Sequence, residues 1–203
     1  QSMEQSDFVQ KHPFLPRDSW ESIIPLGFHG DAGAHSNYDS IYCFNWNSLL
    51  SQGATIQTRF LFTVVPKKLM TPTTLDALMQ AFAWSMNVLL SGQTPHQDYR
   101  GKPIHDGGTD LAAGYRGALV QIRGDWEFYV NLFGFPSWQK NIRMCPFCRA
   151  SNTIPGMLWS DFRLDAAWRN TIFSHESYMD YLHANGLAPP ILFAAAGVIG
   201  LRL

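Results

Sequence analysis

The chain has 203 residues, 46% hydrophobic and 15% charged, with seven Trp, fourteen Phe and a formal net charge of −1. That length fits one domain, or one domain with an insertion, and so many aromatics with so few charges exclude a disordered chain. Near-neutrality excludes a module that grips nucleic acid through a broad basic surface, since phosphate neutralisation supplies most non-specific affinity, but it leaves room for a catalytic core whose DNA affinity comes from other segments.

Residues 1–21 carry polar residues with Pro13, Pro16 and Asp18 and read as a peripheral lead-in. Ile23 to Gly30 reads as a first strand ending at Asp31, with Pro25 predicting an irregular start or an edge position. Asp31 to Ser40 is turn chemistry throughout. Ile41 to Trp46 is a second strand, rich in β-branched and aromatic residues. Thr58 to Val65 is a third, whose nearly continuous apolar character predicts burial on both faces. Leu75, Leu78, Met79, Phe82, Met86, Leu89 and Leu90 fall at helical spacing and predict a helix over Thr74 to Leu90. Asp76 offers it a capping-box acid and Gly92 a stop. A Pro-, Gly-, His- and Asp-rich loop follows from Gln93 to Thr109. Ala118 to Arg123 is a fourth strand ending at Gly124-Asp125, and Trp126 to Phe133 a short helix stopped by Gly134 and Pro136. A last helix is expected over Ala166 to Asn185, closed by Gly186.

Three locally joined strands read as an antiparallel meander, and a fourth reached through a helix should return parallel by a right-handed crossover. This is the order of an RNase H-like α/β sheet, in which the fourth strand lies beside the first. Asp31 and Asp125 would then end neighbouring parallel strands about 4.8 Å apart. Two such carboxylates can share Mg2+ (or Mn2+), which takes one or two carboxylates plus water and phosphate oxygens. Asp after Gly at a strand end is also ordinary turn chemistry, so spacing alone leaves both readings open. Arg123-Gly124-Asp125 as an adhesion tripeptide lacks any secretion signal to support it.

Several segments occur in a fixed order: Ile-Pro-Leu-Gly-Phe-His-Gly-Asp from Ile24, Trp-Asn-Ser-Leu-Leu, Arg-Phe-Leu-Phe-Thr-Val-Val, an amphipathic helix, Gly-Asp-Trp-Glu-Phe and Cys-x-x-Cys. This set, over residues 22–190, resembles the catalytic core of DDE-type transposases of eukaryotic mobile elements. It resembles especially the large families with a cysteine insertion after the second aspartate, and it also looks like multicopy transposon-like proteins of dinoflagellates. The resemblance implies metal binding by acids at the positions of Asp31 and Asp125, and phosphodiester cleavage and strand transfer on DNA. It also implies a third acid on a later helix. Here the chain departs: after Phe193 it runs into an alanine-rich stretch and stops, so the site is expected to be incomplete and the C-terminal portion truncated or aberrant. Glu176 and Asp180 are stand-ins that fit a solvated helix face better.

Cys145-Pro146-Phe147-Cys148 has the spacing that places two thiolates on one Zn2+, about 2.3 Å from each. Of the downstream candidates, His175 and His183 stand eight residues and roughly 12 Å apart on a straight helix and cannot share one ion. His175 is the expected third ligand and the fourth is unassigned. A loop with two unmetallated thiols fits the spacing equally, and a redox motif less well, for want of a thioredoxin-like pattern. Cys43 reads as a small buried hydrophobe. His29 and His35 flank Asp31 and could touch substrate, although loop histidines are commonly just solvated, and His96 and His105 carry no readable role. Trp46, Trp84, Trp126, Trp138, Trp159 and Trp168 are assigned to core packing.

The expected organisation is a core over 22–135, the cysteine insertion and a helix over 136–186, and a tail over 187–203. With no apolar leader and no run of eighteen apolar residues, the protein is expected to avoid membranes and to work inside the cell, in the nucleus. Two functions are carried forward. One is a two-metal DNA nuclease and strand-transfer domain. The other is a zinc-stabilised relic that binds protein or nucleic acid and cuts nothing.

Overall fold

The computed structural model describes residues 17–36, 39–135, 145–184, 186 and 188–195. Residues 1–16, Pro136 and Trp138 lie outside the described residues, as do the side chains of His35 and His175. Contacts divide the chain into two units. One draws its described residues from Gln1–Asp125 and Ile191–Leu201, the other from Trp126–Pro190.

The first unit is a four-stranded mixed sheet in the order β3-β2-β1-β4. Strands β1 (Ile23–Ser36), β2 (Asp39–Ser48) and β3 (Phe60–Pro66) form the antiparallel meander, with a one-turn helix α1 (Thr55–Thr58) before β3. Helix α2 (Thr74–Ser91) leads to β4 (Arg116–Gly124), which lies parallel to β1. The expected adjacency of first and fourth strands is therefore present. Pro25 sits where its missing N–H is tolerated, one residue before the β1–β2 ladder opens at Leu26↔Ser48. The predicted irregularity follows at once, as a register shift against β4 between Leu26 and Gly27.

Helix α2 matches its predicted span to within one residue because its apolar spacing is real. Met79, Phe82, Ala83, Met86 and Leu90 are buried, and Gly92 closes the helix in the left-handed region at φ +68°. A β-carbon at Gly92 would meet Arg116 Cγ at 3.1 Å as well as the backbone penalty. Phe82 meets Phe28 of β1 at 4.1 Å between ring centroids, and Phe28 also stacks on Phe44 of β2. Both strand rings are fully buried, so this cluster joins helix to sheet.

Four expectations are corrected. Residues 31–36 are not a turn: β1 continues to Ser36, with Asp31↔Cys43, Ala32↔Tyr42 and Gly33↔Ile41 paired to β2. Ladder formation by the apolar residues of β2 overrides the turn-prone composition opposite them. Strand β3 is not buried on both faces, since it is a sheet edge and Leu61 is 63% exposed. No side-chain cap forms at Thr73, so Asp76 completes no capping box; instead the Thr74 hydroxyl accepts from the Thr71 N–H at 2.8 Å. The last helix is broken. A 3-10 turn over Ala167–Thr171 is separated by extended Ile172 from α4 (His175–Ala184), with Gly186 beyond it at φ +64°.

In the second unit, α3 (Trp126–Phe133) has its predicted span, and Gly134 follows at φ +65°. Tyr129 stacks on Phe133, and Phe133 packs against Phe135. Trp159 is 48% exposed rather than core. Trp84 and Trp168 are half-buried, and their indole N–H groups donate to the carbonyls of Gln97 and Asp161. In the first unit Ile191–Ala194 forms a 3-10 turn whose Leu192 and Phe193 are buried, so residues within the expected tail contribute to a core.

Candidate functional site

The parallel pairing of β1 with β4 runs through His29↔Arg123 and ends at Gly30↔Gly124. One residue further, Asp31 stays in β1 while Asp125 is the first residue after β4. The two carboxylates thus stand at the same end of adjacent parallel strands, and both residues are exposed. This is the carboxyl edge of the parallel pair, where open α/β sheets commonly bind ligands. Asp31 is not a strand terminus, as the sequence suggested; it lies where β1 loses its β4 neighbour. Its Oδ1 accepts the Ala32 N–H at 2.8 Å, a local bond that leaves its other oxygen out of that contact.

Side chains alternate along a strand, so Gly27, His29 and Asp31 share the face opposite the Phe28 cluster. Across the ladder this face carries Asn47, Asn45 and Cys43 of β2, and Gln121 and Arg123 of β4. Cys43 is half-buried here, beside Asp31 and away from the core face. The Arg123 Nη2 donates to Asn47 Oδ1 at 2.6 Å. A β-carbon at Gly27 would come within 2.9 Å of that Nη2 and of Leu49 Cδ2, so glycine there makes room for the guanidinium. The His29 Nδ1 lies 3.4 Å from the Asn45 amide nitrogen. Burial and then Arg59 hold the His29 imidazole below its ordinary pKa; Asp31 opposes them, Arg123 adds to the lowering, and Asp125 opposes it. All four charged groups therefore act on one ring. His29 is a strand residue with fixed neighbours and not a solvated loop histidine, whereas His96 and His105 are exposed.

Arg123, Asn47 and Arg59 did not emerge from the sequence reading. One signal was available: Arg123 stands two residues before Asp125, as His29 stands two before Asp31, the spacing that keeps side chains on one strand face.

In the second unit two backbone N–H groups of the cysteine turn are directed at its sulfurs. The Phe147 N–H points at Cys145 Sγ and the Ala150 N–H at Cys148 Sγ, each at 3.4 Å. Such bonds favour thiolate over thiol, and the donor set suits Zn2+. Burial, which outweighs the Ala150 N–H, together with the neighbouring Cys145 thiol pushes Cys148 up to about 11. The Phe173 N–H donates to the Phe147 carbonyl at 2.9 Å, which ties the cysteine turn to the chain two residues before His175 at the start of α4. His183 lies at the other end of that helix and is exposed. A raised thiol pKa means little thiolate at neutral pH without metal. Iodoacetamide at pH 7.5 is therefore expected to alkylate Cys148 of the chelator-treated protein several times more slowly than an unfolded control. Equal rates, followed by mass spectrometry, would contradict the burial of that thiol.

Glu176 and Asp180 are exposed on α4, as a solvated face requires. Among the described residues no group of three or more His, Cys, Asp or Glu side chains is placed to hold a metal ion. Nor, among them, is any helix long and apolar enough to cross a membrane. Comparison with known proteins finds no matching family model, no matching curated protein and no matching solved structure.

Proposed function

We propose that the first unit is an RNase H-like core of DDE-transposase type that acts on DNA in the nucleus, with Asp31 and Asp125 as its metal-holding acids. The observation that carries this reading is the β1–β4 register, which brings residues 94 positions apart to the same end of adjacent strands. Two exposed carboxylates there suit Mg2+ or Mn2+, which accept one or two carboxylates and fill their remaining positions with water and phosphate oxygens. Divalent ions at such a pair supply activation of the attacking oxygen and charge neutralisation at the leaving oxygen. The chain's own contribution is to hold the acids on a rigid sheet edge and to present polar groups beside them. In the second unit, Cys145, Cys148 and His175 are the proposed structural Zn2+ ligands, a role supported by the sulfur-directed N–H groups and the tie between Phe147 and Phe173.

A second reading has its own support. Among the described residues no third ligand joins the acid pair, which favours a zinc-stabilised relic that binds a partner without cutting. Titration with Mn2+ tests whether the acids still bind metal. The amide signals of Gly30, Asp31, Ala32 and Gly124 are expected to broaden first, and Asp31→Asn is expected to remove that selectivity. Uniform broadening over the whole spectrum would overturn the metal-site reading and leave the binding domain.

A further inference from the structure

The polar face behind the acid pair carries two guanidinium groups that its carboxylates do not pair with. The ion pairs among the described residues are Lys68–Asp39, His105–Asp106 and Arg163–Asp161, so neither Arg59 nor Arg123 is matched to an acid there. Arg123 is held by one neutral partner, Asn47, while its Nε is buried without a hydrogen bond. Leaving a buried donor unsatisfied is costly, and more so when it belongs to a charged group. A guanidinium seated over Gly27 and anchored from a neighbouring strand is preorganised to meet an anion.

We infer that Arg123 and Arg59, the latter one residue beyond the Trp46↔Phe60 rung of the β2–β3 ladder and so beside Asn47, form with the His29 imidazole a phosphate-binding subsite that seats a non-bridging oxygen of a DNA phosphodiester next to Asp31 and Asp125. Its position fits this ligand. His29 and Asp31 are two residues apart on one face of β1, about 6.6 Å along the strand, so a group the size of a phosphate bridges the two rows. The Arg123 row lies level with His29. Asn47 acts as a positioning residue, fixing the guanidinium. With a chain net charge of only −1, local placement of these cations matters more than bulk attraction. The choice of phosphodiester rests on the nuclease reading, but phosphate binding itself does not require the metal.

The test is a titration of the full chain with inorganic phosphate in the presence of chelator, followed through the arginine Nε–H and histidine ring signals. A saturable shift at Arg123 and His29 is expected. Arg59→Gln is expected to weaken binding about tenfold, as loss of one charge-assisted contact predicts, and Arg123→Gln at least as much. Should Arg123→Gln fail to fold, Arg59→Gln alone decides, because Arg59 lies outside the strands at the end of α1. Asp31→Asn is expected to leave phosphate binding intact or tighten it, since it removes a repelling charge. Unshifted Arg123 signals, or equal affinity in wild type and Arg59→Gln, would overturn the subsite. Phosphate binding that persists in a protein showing no selective Mn2+ broadening would sink the nuclease reading while the subsite stands. The reverse result would do the opposite.

Discussion

Replacing Asp31 or Asp125 by Asn is expected to lower Mn2+-dependent nicking of supercoiled DNA by about 1000-fold, the several kcal/mol that metal-held charge contributes at 1.36 kcal/mol per tenfold. The substitution is close to isosteric, and both residues are exposed, so the fold should survive it. The hydrogen bond that the Asp31 side chain accepts from the Ala32 N–H uses an oxygen that Asn retains. Near-UV circular dichroism should therefore match wild type, which separates lost chemistry from lost structure. Nicking by wild type that is unchanged in both variants would remove the acids from the mechanism. Absence of nicking in wild type, with selective Mn2+ binding intact, would identify a domain that keeps its metal pair but not its cutting.

Phe28→Ala should be the most damaging change to the first unit. Its ring is fully buried and lies against both Phe44 of β2 and Phe82 of α2. Truncating a ring in such a site costs about 3–5 kcal/mol, because lost transfer energy and a residual cavity add. Against a total of about 5–15 kcal/mol for a typical domain, that is enough to move the urea midpoint far down or to abolish folding. Leu61→Ala is the matched control. At 63% exposure on the edge strand it should change stability by no more than about 0.5 kcal/mol. A loss at Leu61 comparable to that at Phe28 would mean that β3 is covered in solution. That result would restore the two-sided burial its sequence suggested.

The contrast between these two residues shows where sequence stops informing. Thr58 to Val65 reads as a buried strand because of its apolar run, but such a run marks burial on both faces only when strands flank both sides. Edge position is a property of the sheet, and residues 58–65 contain no record of it. Asp31 to Ser40 reads as a turn because it is rich in small and polar residues, yet the apolar residues of β2 recruit Asp31 to Ser36 into a ladder. The break at Ile172 was hidden in the same way, by a stretch whose composition tolerates a helix until the cysteine turn claims Phe173.

What the sequence determined by itself was local and periodic. The spacing from Met79 to Leu90 with Gly92 behind it set α2, the apolar pattern set α3, and the order of strands and helix set β4 beside β1. Handedness and connection length leave few alternatives for a strand returned through a helix. Tertiary structure alone decided the site. Arg123 reaches Asn47 across 76 residues, over a glycine whose missing β-carbon leaves the space. The surroundings of His29 come from β1, β2, β4 and Arg59 at the end of α1. No window of sequence holds that arrangement, because strand register and side-chain alternation acting together choose which polar groups meet, and both depend on partners far away in the chain.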